Sequence, residues 1–242
     1  MLHTTRGIII HTIKYSDSSI IAKIYTEKFG LRTYLVRGVS GKQKSKTTRN
    51  SQLQHLSLLN LVVYEKDNDK LQNLRETETA YQLSSIPFDV IKGTLVLFLN
   101  EVLYKSLHEE GSNPELFNYI FDSIVQFDQM KGSYQDFHLL FLIGLSKYLG
   151  FYPRNNYSDR NQYFDLQEGV FTSEKPFHNN YLDVSLSKKL NRVLTLNHLE
   201  ERIFDNTSDR NLFMEKLLDF YRLHIPGFGE LKSHKVLHEV LG

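Results

Sequence analysis

Two hydrophobic periods divide the chain. Roughly the first eighty residues read as short strands, with apolar positions alternating in Ile20 to Thr26 and Leu31 to Arg37, the spacing of strands with one buried face. Gly7 to Tyr15 is rich in β-branched residues, and Ser16-Asp17-Ser18-Ser19 supplies turn chemistry. Ile20 to Thr26 sets Ile20, Ala22 and Ile24 against Ile21, Lys23 and Tyr25. Glu27 to Gly30 turns the chain, with Gly30 available for a positive φ, and Leu31 to Arg37 alternates again. Leu56 to Glu65 and Leu71 to Glu76 complete five strands, joined by a turn at Lys66-Asp67-Asn68-Asp69. Gly38 to Gln52 is polar, basic and without period, and reads as a long exposed loop. Five short strands with one apolar face predict a small closed barrel of the OB-fold type.

From Ala80 the spacing becomes helical. Phe88 to His108 carries Ile91, Leu95, Phe98, Leu99, Val102, Leu103 and Leu107 three and four residues apart. Asn113-Pro114-Glu115 starts a second helix, with Asn113 as N-cap, and Tyr134 to Leu149 forms a third that stops at Gly150. Gln162 to Leu166 and Gly169 to Thr172, parted by Gln167-Glu168, predict a β-hairpin between helices. Helical spacing resumes at Ser187 to Leu196, Arg210 to His224 and Glu230 to Leu241. The expected architecture is therefore α+β. An N-terminal five-stranded OB-fold β-barrel occupies residues 1–80. An all-α helical domain, 81–242, follows with a small inserted hairpin near 151–180.

Composition narrows the class. Of 242 residues, 40% are hydrophobic and 24% charged, the balance of a chain with a real core. Cysteine is absent, which excludes disulfides, Cys-ligated zinc and a cysteine nucleophile. Ile8 to Ile10 is too short an apolar run for a secretory signal, and Thr94 to Asn100 falls far below a membrane span. These features lead us to expect a soluble cytoplasmic protein with no membrane partner.

Charge is distributed unevenly. Residues 1–80 hold thirteen Lys/Arg and seven Asp/Glu, a net +6, whereas the rest hold sixteen and twenty-one, a net −5. No acidic residue lies between Glu27 and Glu65. Lys28, Arg32, Arg37, Lys42, Lys44, Lys46 and Arg49 all fall in that interval. An extended loop with lysines on alternate residues, edged by Arg37 and Arg49, suits the repeating phosphates of a nucleic-acid strand. Tyr15, Tyr25, Phe29 and Tyr34 lie on the neighbouring strands, where any that face outward suit base stacking. Charge runs also occur as merely solvated loops, and the acid-free interval favours the polyanion reading.

Other motifs carry less. Gly38-Val39-Ser40-Gly41-Lys42-Gln43 has two residues between its glycines and Gln after Lys42, so it is not a phosphate-binding loop. His234 and His238 stand four apart, but HKVLH lacks the glutamate of a metalloprotease helix, and two surface histidines are the commoner arrangement. There is no GxSxG and no metal-spaced carboxylate cluster. We expect no catalytic residues, no metal and no cofactor.

Three stretches resemble the RecO family of bacterial recombination mediators: RGIIIHTIKYSDSSIIAKIYTEKFG (Arg6 to Gly30), with its Thr26-x-x-x-Gly30 turn; the basic VRGVSGKQKS, where Arg37 replaces the usual lysine; and LLDFYRLHIPGFGELKSHKVL (Leu217 to Leu237). The resemblance implies an OB-fold, a helical domain, and binding of single- and double-stranded DNA. It further implies strand annealing, work with RecR, reception of the single-strand-binding protein tail, and through these the loading of RecA. DNA contacts carry over to Arg37, Lys42, Lys44 and Lys46, and also to Arg32 and Arg49. Many members hold zinc with four cysteines where this chain has Arg154 to Pro176. Without cysteine, Phe164, Leu166, Val170 and Phe171 are expected to pack the hairpin instead. The alternatives are an OB-fold adaptor for RNA or protein with no recombination role, and a small hydrolase whose site the sequence hides.

Overall fold

The computed structural model describes residues 1–38, 52–66, 71–108, 111–132, 134–196 and 202–241. They form two compact units, Met1–Gln129 and Met130–Gly242.

In the first unit, β1 (Leu2–Ser16), β2 (Ser19–Thr26), β3 (Gly30–Arg37), β4 (Leu58–Tyr64) and β5 (Leu71–Tyr81) close a barrel in the order β1-β2-β3-β5-β4. Among the described residues, only β3 and β5 pair in parallel. β1 serves two neighbours. Its Leu2 to Ile8 half pairs with β4 and its Gly7 to Ser16 half with β2, and a register shift between Ile9 and His11 sharpens the bend between them. Ile9, Ala22, Ile24, Tyr34, Val36, Leu59, Leu61, Val63 and Leu74 fill the interior, joined by Leu53 from the segment before β4.

Two details of the barrel explain sequence signals. Gly30 has φ 68, and Thr26 donates its hydroxyl to Gly30 O at 2.8 Å while accepting the Phe29 N–H at 3.1 Å. The threonine closes the turn that only glycine enters without strain. At Gly7 the constraint is space, since a Cβ there would stand 2.4 Å from Leu61 Cδ1 and 2.8 Å from Ile24 Cγ2.

The compact unit runs on past the change of period at Ala80. After a 3₁₀ turn at Ile86–Phe88 come α1 (Val90–Ser106) and α2 (Pro114–Gln129). Asp89 caps α1 by accepting the Ile91 and Lys92 N–H groups, and Asn113 accepts from Leu116 N at 3.0 Å, the expected N-cap. α2 lays Phe117 on Tyr25, ring centroids 6.0 Å apart. Near the end of α2, Asp128 accepts from the Ser84, Ser85 and Ile86 N–H groups at 2.8, 2.8 and 2.9 Å and so holds the linker leaving the barrel. Burial raises the carboxyl's pKa, but these hydrogen bonds prevail and hold it down at about 2.

The second unit contains α3 (Phe137–Tyr148), β6 (Tyr163–Asp165), β7 (Val170–Thr172), β8 (Tyr181–Leu182), α4 (Val184–Thr195), α5 (Thr207–His224) and α6 (Ser233–Leu241). The expected hairpin is β6-β7, and β8 adds a third strand on the other edge of β6. Tyr221 of α5 donates its hydroxyl to Leu142 O of α3 at 2.6 Å. With the five-stranded barrel first and helices with a small sheet after it, the fold is the expected α+β arrangement.

Candidate nucleic-acid interface

Arg37 ends β3 in an exposed position opposite Ser19, and the Gly38 N–H donates to Ser18 O at 2.8 Å. The cationic segment therefore leaves the barrel beside the β1–β2 turn. Lys14 lies next to that turn, 3.5 Å from Asp17, in a pair so exposed that it contributes little. Lys42, Lys44, Lys46 and Arg49 lie outside the described residues. The chain is described again from Gln52. Leu56 donates its N–H to Ile9 O at 2.8 Å, and Ile9 donates to Ser57 O at 3.1 Å, pinning the segment against β1.

Arg32 has a different setting. It is half-buried, with Nε 4.0 Å from Glu65 Oε2, and Tyr34 donates its hydroxyl to the same carboxylate. Burial, and next the Glu65 carboxylate, push the Tyr34 hydroxyl far above its ordinary range. The charge of Arg32 is thus offset within the barrel, whereas Arg37 stands at its edge.

The aromatic set is smaller than the strand pattern suggests. Tyr34 is inside the barrel, Tyr25 lies under Phe117, and Phe29 packs on the core with His3 edge-on at 5.3 Å. None of these three presents an open face. Tyr15 does, at 63% exposure. The sequence reading missed a second aromatic-cationic group on the outer barrel. The rings of His11 and Tyr104 are 4.9 Å apart, and Lys23 Nζ stands 5.4 Å from the Tyr104 centroid. Burial lowers the His11 pKa, as do its neighbours His55 and Lys23. The register pairs His11 with Lys23, and α1 packing on β1 brings Tyr104 to them.

Another part of the barrel surface is unsuited to phosphates. A groove of about 530 Å³ is lined by Glu27, Glu76 and Glu78 with Arg6, Lys28 and Asn60 among others. The guanidinium of Arg6 is already engaged, donating to both Glu27 oxygens at 3.0 and 2.9 Å and to Asn118 Oδ1 at 2.7 Å. Glu76 pairs with Arg75 at 3.1 Å, and Glu78 shares the groove with Lys28, so it offers phosphates no surplus of positive charge.

The small sheet does not fit zinc. Phe164 and Phe171 pack edge-to-face at 4.9 Å, with Tyr157 on Phe171 at 5.3 Å and Phe220 on Phe164 at 5.9 Å. Leu166 is buried and Val170 half-buried. The Asn156 amide bridges to the β7 backbone, donating to Phe171 O and accepting from Phe171 N, both at 2.9 Å. His178 Nε2 meets Asp165 Oδ2 at 3.2 Å, while Asp165 Oδ1 accepts the Gln167 and Glu168 N–H groups. Among the described residues, no three His, Cys, Asp or Glu side chains converge as a metal site. No helix among them is long and apolar enough to cross a membrane.

A closed barrel ordered β1-β2-β3-β5-β4, followed by helices with a small sheet, places the chain among the OB-fold proteins with a helical C-terminal part. Comparison with known families makes this specific. Family models described as recombination protein O N-terminal and C-terminal match residues 1–83 and 87–181. The chain belongs to the RecO family. It is similar to the DNA repair protein RecO of Bacteroides fragilis, with 35% identity over 242 residues and 99% of both chains covered. The proteins of that name from Christiangramia forsetii and Flavobacterium johnsoniae are 36% and 32% identical, over 100% and 98% of both chains.

Proposed function

We propose that this protein serves DNA repair and homologous recombination as a mediator that performs no chemistry of its own. In this reading it binds single- and double-stranded DNA, anneals complementary strands, and helps load RecA onto DNA coated by single-strand-binding protein. The observation that carries the reading is family membership through both the barrel and the helical part, with relatives named as DNA repair proteins over nearly their whole length. The partners are RecR and the tail of single-strand-binding protein, with RecA reached indirectly. The setting is the cytoplasm, at the nucleoid.

The physics requires no cofactor. Two coated strands repel each other and are masked. A barrel that neutralises phosphates through Arg37, Lys42, Lys44, Lys46 and Arg49 holds one strand and releases its counterions. A helical part that grips the coating protein raises the local concentration of both partners.

The test is strand annealing with and without single-strand-binding protein, in the absence of any nucleotide. The expected result is faster pairing of coated complementary strands and a steep loss of DNA affinity with salt. No acceleration, or RNA displacing single-stranded DNA at equal concentration, overturns the recombination reading in favour of an adaptor.

A further inference from the structure

One exposed ring has no role in holding the fold together. Phe88 ends the 3₁₀ turn before α1 and is 86% exposed, and Val90 just after it is exposed too. Leaving a large aromatic side chain in water forgoes the stabilisation its burial would give, and a ring exposed at the rim of a groove is open to a ligand's face. Phe88 borders a groove of about 320 Å³ lined also by Gln52, Gln54, Thr79, Tyr81 and Gln82. That is the size range of small-ligand pockets.

Among the described residues, the lining includes no charged side chain. Gln52 is fixed as one wall, accepting from Thr77 Oγ1 at 3.1 Å and donating to Thr79 Oγ1 at 3.3 Å. Gln54 and Gln82 are exposed at the groove. Amides both donate and accept, so they meet the edge of any base, whereas an uncharged wall offers a phosphate nothing to neutralise it.

We propose that unpaired bases of a single DNA strand enter this groove and stack on Phe88. The inference rests on the DNA-binding reading above and adds a site that tells unpaired from paired DNA. Stacking on an aromatic ring tolerates any base, and it requires a base that is not already stacked in a duplex.

The chain contains no tryptophan, so Phe88→Trp in the full-length protein makes a single reporter at the groove. Titration with oligo(dT) should quench its emission along the same curve as the anisotropy of the labelled strand. Phe88→Ala should weaken oligo(dT) binding about tenfold and leave duplex affinity and the salt slope unchanged. An abasic strand of equal length should bind the parent and Phe88→Ala equally. The groove assignment is overturned if the indole emission of Phe88→Trp stays flat while anisotropy reports binding, or if Phe88→Ala holds oligo(dT) as tightly as the parent. If the parent itself binds neither DNA form at low salt, the DNA-binding reading fails first and the groove with it.

Discussion

Arg210 donates its Nε–H to Asp136 Oδ1 at 2.8 Å across 74 residues of sequence, and both side chains are buried. Asp136 Oδ2 also accepts the Ile203 and Phe204 N–H groups at 2.7 and 3.0 Å. One carboxylate thus ties the start of α3, the segment before α5 and α5 itself. Asp136→Ala leaves a buried guanidinium and two buried N–H groups without their acceptor. The expected cost is about 3–5 kcal/mol in urea denaturation followed by far-UV circular dichroism. A loss below about 1 kcal/mol would show that the pair is replaceable.

His138 sits two residues further on, fully buried. Burial holds its pKa down at about 3; the Arg210 charge acts in the same direction and Asp136 opposes it. The unfolded ring titrates near 6.5, so the unfolded state takes up the proton first. Stability is complete above pH 6.5 and falls as pH drops toward 3, by about 1.4 kcal/mol per unit. Between pH 7 and pH 5 the parent should lose about 2 kcal/mol more than His138→Gln. Parallel stability curves for the two proteins would refute the assignment.

In the first unit, Asp128 has the corresponding role. Its carboxylate holds the 84–86 linker, and buried Lys92 donates to Ser85 Oγ at 2.7 Å and to Asp128 O at 3.1 Å. Asp128→Asn leaves Oδ1 to accept from Ser85 and Ile86 but sets an NH₂ donor against the Ser84 N–H, and we expect a loss of about 1–3 kcal/mol at pH 7. Because the folded pKa lies near 2 and the unfolded one near 3.8, the parent should lose this contribution only as pH falls below about 4. Equilibrium denaturation at pH 7 and pH 3 checks both statements.

Gly7 tests the barrel interior. Gly7→Ala drives a methyl group into Leu61 and Ile24, and we expect about 1–3 kcal/mol of destabilisation. Leu61→Ala in the same protein empties the space the methyl needs. The double variant should therefore be more stable than the sum of the single effects. Strict additivity in calorimetry would mean that the close approach is relieved elsewhere.

Arg37 and Arg32 should separate on DNA. Arg37→Gln should lower affinity for every sequence and reduce the salt slope by about one, and removing Lys42, Lys44 and Lys46 together should flatten it further. Arg32→Gln should leave DNA binding nearly unchanged, since Glu65 already offsets that charge. Anisotropy titrations over a salt series distinguish them, and equal effects of the two arginines would contradict the placement.

Much of the fold was legible because local pattern and final packing agree. Alternation marked β2 and β3 and β-branched residues marked part of β1, though β1 and β5 run further than the pattern, to Leu2 and Tyr81; Thr26 and Gly30 marked a turn, and Asn113 marked a cap. The limits are equally physical. Period two separates the faces of a strand but does not say that both are covered. Tyr34 is taken by the interior and Tyr25 by α2, so neither is open to a base. Asp128 reads as an ordinary polar residue of an amphipathic helix because its partners lie 42 to 44 residues earlier. A two-residue strand such as Tyr181–Leu182 has no period to detect. In the candidate interface, charge composition named Arg37 and Arg32 alike, and only the fold assigned one of them to Glu65. Phe88 read as the first residue of a helix, whereas it stands in the turn before it.

The small sheet of the second unit is closed by phenylalanine rings and by one asparagine amide. Neither kind of group ionises near neutral pH, competes for a metal or is readily oxidised. A cysteine cage would lose its shape with its zinc, to a chelator or to thiol oxidation. Folding of this lobe is therefore expected not to depend on zinc supply, and chelator treatment should leave its melting temperature where it was.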